Sequence, residues 1–131
     1  MLGVMLLTAI VYMLVLWLAH AVVAAVLSLP VVLLGRHRVS WRRWELLGFV
    51  IPFCVWLVLP YCVPQPSTAK GWGNLIEPVY FSLAIPIAAL LRVCVGRSFN
   101  ETHCAVALIG VLCIVAALVH FLTPNLGGSL G

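Results

Sequence analysis

The chain has 131 residues, 65% of them hydrophobic and only 8% charged, with a formal net charge of +4. Its mean hydropathy is +1.23. A water-soluble domain of this composition lacks the polar side chains to cover its own surface, so a soluble globular fold is excluded and an integral membrane protein remains. A single domain over residues 1–131 accounts for the length.

The charged residues mark off four apolar blocks. The first runs from Leu2 to Leu34, with His20 as its only ionisable side chain; the others run from about Leu46 to Val63, Leu75 to Leu91 and Cys104 to Leu122. Helical blocks of about 20 residues match a hydrocarbon core of ~30 Å. The runs are continuous rather than alternating, which favours helices over the strands of a barrel. The sequence therefore predicts an all-α protein of four transmembrane helices, at about 2–34, 44–63, 75–95 and 99–122.

The first block has no basic leader and is about twice the length of a signal-peptide core, so it reads as a retained span. As a helix from Leu2 to Leu34 it would be ~50 Å long, well beyond the membrane core. With its inner end near Gly35, Tyr12 and Trp17 fall where an aromatic belt belongs. Roughly the first dozen residues are then surplus and still apolar. They are expected to pack against a partner subunit or a neighbouring copy. Pro30 marks a kink near the inner end. Small residues at Ala21/Ala25, Ala24/Ser28 and Ala84/Ala88 point to the closest contacts between the first and third helices.

Between the first two blocks lie Arg36, Arg38, Arg42 and Arg43; Arg92 and Arg97 flank the third loop, and the second loop holds only Lys70. Basic residues stay in the cytoplasm, so loops one and three are predicted inside and both termini outside. Trp41 and Trp44 bracket Arg42 and Arg43. Together with Arg36 and Arg38 they read as an anchor for anionic lipid headgroups rather than as a nucleic-acid surface. Tyr61 and Trp72 flank the outer loop, residues 64–73. The strong bias and short loops fit a multi-pass protein of the bacterial cytoplasmic (inner) membrane.

The second helix carries Pro52 inside and ends at Pro60 and Pro64. The third opens with Asn74-Leu-Ile-Glu-Pro, so regular helix is expected near Glu77, and it holds Pro86 at mid-span. The fourth starts at Ser98-Phe-Asn-Glu101, a capping box with Ser98 at the cap or Asn100 in its place.

Three ionisable residues are candidates for chemistry. Glu77 either caps the start of the third helix or, if that helix begins at Asn74, lies about one turn inside and can bind a proton or cation. His20 and His120 fall in the same leaflet; they either ligate haem or another group between facing helices, or hydrogen-bond to neighbouring helices. The five cysteines form no metal pattern and read as reduced, buried filler. There is no Asp, and Glu45, Glu77 and Glu101 each lie near a membrane surface. No nucleophile–base spacing, phosphate loop or zinc motif is found, so the sequence predicts no enzyme, no cofactor and no metal site.

The reading is a small accessory, assembly or stabilising subunit of a larger membrane complex, acting by helix–helix contacts. Its partners are the anionic lipid bilayer and other membrane subunits or copies of itself. The alternative is a homo-oligomeric transporter or channel using Glu77. In length and helix number the chain is similar to the small multidrug transporters, but those rely on a carboxylate deep in the first helix, and this first helix has none. A third reading is haem or quinone binding through His20 and His120.

Overall fold

The computed structural model describes residues 2–62, 76–95 and 100–124. Expectations for Lys70, Trp72, Arg97, Ser98, the outer loop and the tail after Pro124 lie outside the described residues, as does the side chain of Tyr61. Among the described residues all regular structure is helical: α1 (Leu2–Gly35), a 3-10 turn (Arg43–Leu46), α2 (Leu47–Cys62), α3 (Glu77–Ser82), α4 (Ala84–Val95) and α5 (Glu101–Leu122). Three stretches are long and apolar enough to cross a membrane: Leu6–Gly35, Glu77–Val95 and Glu101–Leu122. They point to an integral membrane protein.

Regular helix in the expected second segment starts later than predicted. It is preceded by the 3-10 turn, and regular α-helix begins only at Leu47, giving 16 residues or ~24 Å. Glu45 sets the start of the turn, where its Oε1 accepts from the Arg42 backbone N–H at 3.1 Å. The expected third helix is broken rather than continuous. Leu83 sits in a turn between α3 and α4. Pro86 explains the break, because it has no N–H for the Ser82 carbonyl and its ring crowds that oxygen. Ser82 turns its own hydroxyl back onto the Val79 carbonyl at 2.6 Å. Asn100 is the cap of α5, accepting from the backbone N–H groups of Thr102 at 3.0 Å and His103 at 3.4 Å.

In a bilayer, lipid tails are as apolar as leucine, so close approach and polar contacts hold helices together. The inner face of α1 follows from that rule. His20, Ala24 and Ser28 recur every four residues and are all buried. Ala24 packs with Ile85 and Ala88 of α4 and Leu112 of α5. The helix ends where Gly35 meets Val93; a Cβ at Gly35 would overlap the valine methyl groups. The small-residue pairs thus do place the first helix on the third segment. The contact of α1 with α3 and α4 together is the most extensive among the described residues, and α2 on α5, which those pairs did not signal, comes next. A second cluster, Phe53, Trp56, Phe81 and Ala116, joins α2, α3 and α5.

The cysteines are not buried filler. Cys54, Cys62 and Cys94 are exposed and Cys104 and Cys113 half-buried, all with free thiols.

Candidate functional site

The three candidates for chemistry meet at one end of the fold. Glu77 is the first residue of α3 and is fully buried. Its Oε2 accepts from the Trp56 indole N–H at 2.7 Å and lies 3.3 Å from His120 Nδ1. An indole can only donate, so that oxygen is the acceptor in the Trp56 bond. Glu77 stands in a first turn, where the helix dipole favours a carboxylate, and it is buried beside the imidazole of His120.

His20 closes the arrangement from α1. Its Nδ1 lies 3.0 Å from the Pro78 carbonyl oxygen and its Nε2 lies 3.2 Å from that of Phe49. The ring is flanked by Phe81 at 4.9 Å and Phe53 at 5.8 Å between centroids. A neutral imidazole donates to one carbonyl at a time, whereas an imidazolium donates to both. In either form both ring nitrogens face an oxygen, so ligation of another group through His20 requires one contact to break. Among the described residues no group of three or more His, Cys, Asp or Glu side chains is placed to hold a metal ion.

These four side chains tie four of the helices into one knot: His20 from α1, Trp56 from α2, Glu77 from α3 and His120 from α5. Trp56 was not legible as a partner. Its only signal is the presence of an indole donor inside an apolar run, where such a group needs an acceptor.

A second polar cluster lies at the opposite end, and the sequence reading missed its centre. Arg92, in the last turn of α4, is 2% exposed. Its Nε donates to Glu45 Oε2 at 3.4 Å, and its Nη2 lies 3.8 Å from Glu101 Oε2. The Ser40 hydroxyl donates to the same Glu101 carboxylate. Arg92 entered the sequence reading only as a count for topology. The signal available was its position next to Leu90, Leu91 and Val93, an apolar setting that obliges a charge to find a counter-ion. Of the expected headgroup anchors, Arg36, Arg38, Arg42 and Arg43 are exposed and Trp44 half-buried. Trp41 differs, because its indole nitrogen is buried and has no hydrogen-bond partner. No known protein family, curated protein or solved structure matches this chain.

Proposed function

We propose that the protein is a small accessory, assembly or stabilising subunit of a larger membrane complex, working through helix–helix contact without catalysis of its own. The observation that carries this reading is the surplus of α1. The helix has 34 residues and is ~51 Å long, against a membrane core of ~30 Å. Leu16 and Trp17 pack against the cluster of Phe53, Trp56, Phe81 and Ala116. Before them Val4, Leu6, Leu7, Ile10 and Val11 are between 48% and 69% exposed. Thr8 hides its hydroxyl on the Val4 carbonyl at 2.8 Å, leaving that turn apolar all round. Tilt absorbs part of such an excess, and a second protein surface covers the remainder.

In this reading α2 is a fourth, short crossing. Its support is that Glu45, at the foot of α2, meets Arg92, while Trp56, farther along, reaches Glu77 at the other end. With an even number of crossings, both termini lie outside and the basic cluster around Arg36 to Arg43 inside, in a bacterial cytoplasmic membrane. Purification from native membranes in mild detergent, followed by mass analysis, tests the proposal. Co-purifying subunits or further copies are expected; a monodisperse lone chain overturns it.

The Glu77–His120 contact favours a second reading, proton or cation passage through a homo-oligomer. Buried carboxylates and imidazoles within membrane helices mark proton and ion pathways, and this pair is one such group. A Glu77→Gln variant that folds and keeps an established flux removes Glu77 from that role.

A further inference from the structure

At the Arg92 end of the fold a cavity of about 290 Å³ opens between α1 and the start of α2, with α4 and α5 as its floor. Ala25, Leu29, Phe49, Ala88 and Leu108 supply apolar wall, and its polar lining comes chiefly from Trp41, Arg42, Glu45 and Arg92. Two of these carry unmet donors. Among the described residues Arg92 Nη1 and Trp41 Nε1 are buried with no hydrogen-bond partner. Each is donor-only, and a buried donor without an acceptor is a costly thing to keep.

Arg92 is already matched: its guanidinium lies against the carboxylates of Glu45 and Glu101. An anionic ligand on its Nη1 would add a third negative charge around one buried guanidinium group. The unmet need is for an acceptor without charge. A carbonyl oxygen has two lone pairs and can take both N–H groups, while an apolar body fills the remaining wall. We propose that this cavity binds an uncharged, carbonyl-bearing membrane lipid, with its carbonyl on Arg92 and Trp41 and its chain along Ala25 and Leu29. A lipid-soluble quinone and the ester of a neutral glyceride share that chemistry. The site is separate from the surplus of α1, so its test is independent of the subunit proposal.

Native mass spectrometry of the full-length protein in detergent provides the test, with a decyl-substituted benzoquinone, dioleoylglycerol and oleate offered in parallel. Two variants accompany the wild type. Trp41→Phe removes one donor but no existing partner, and Ala25→Phe adds bulk at an exposed wall position. A one-to-one adduct with the quinone, the glyceride or both is expected, and which of them binds identifies the source. Trp41→Phe is expected to weaken the adduct about fivefold, the scale of one hydrogen bond. Ala25→Phe is expected to abolish it. The proposal is overturned if neither neutral ligand binds, if oleate binds more tightly than both, or if both variants bind as the wild type does.

Discussion

Trp56 and Glu77 are joined across 21 residues of sequence by an indole-to-carboxylate hydrogen bond of 2.7 Å, with both side chains buried. His120 approaches the same carboxylate oxygen, so one acceptor atom on α3 fastens α2 and α5. Hydrogen bonds to charged groups are worth about 1.5–3 kcal/mol, and more is lost when a buried partner is left unmet. The knot is thus a principal reason why the short α3 holds its place.

Trp56→Phe retains a ring against Phe53 and Phe81 while deleting the indole N–H. A loss of about 1–3 kcal/mol in stability is expected. Thermal unfolding in detergent, followed by helical circular dichroism, measures it. An unchanged midpoint would show that Glu77 does not depend on the indole.

His20 is expected to be less replaceable than its size suggests. His20→Leu fills similar space yet removes the imidazole N–H that serves the Pro78 or the Phe49 carbonyl. About 1–3 kcal/mol should be lost with that hydrogen bond. The same unfolding assay reads the effect, and His20→Gln, which keeps a donor, is expected to recover part of it.

Gly35 permits the approach of α1 to α4. Gly35→Ala puts a methyl group into the space of Val93, and overpacking of this kind costs about 1–3 kcal/mol. The double variant Gly35→Ala, Val93→Ala should regain much of the loss, because the two side chains compete for one site. Additive losses in the double-mutant cycle would contradict the contact.

Arg92 holds two carboxylates at the other end. Arg92→Leu leaves Glu45 and Glu101 without their shared cation, and a clear loss of stability is expected. Ser40→Ala, which removes only the hydroxyl donated to Glu101, is expected to cost much less. Equal effects of the two variants, compared by thermal unfolding, would reject the central place given to Arg92.

Much of this architecture was legible because hydropathy and helix length are properties of single segments. The overlong α1, the placing of His20 and His120 toward one end of the fold and the regular start near Glu77 all follow from counting along the chain. What pairs with what does not. The break at Leu83 needs Pro86 to be read against the carbonyl four residues earlier, where the sequence reading had recorded only a proline at mid-span. Trp56 looked like one more aromatic residue in an apolar run until Glu77 was seen beneath it. Trp41 looked like a headgroup anchor because tryptophan between arginines usually is one. Its buried nitrogen depends on how the first loop folds over α4 and α5, which no local pattern encodes. Arg92 was missed for a related reason: its counter-ions come from residues 47 and nine positions away in sequence, on different elements.

Site-specific photocrosslinking at Leu7, in native membranes, tests the proposed role of α1 most directly. A photoreactive amino acid at that position is expected to form a discrete adduct with another polypeptide, while the same probe at Ile114, an exposed residue midway along α5, reports the background from lipid. Lipid adducts alone at Leu7, indistinguishable from those at Ile114, would contradict the proposal that a protein covers the surplus helix.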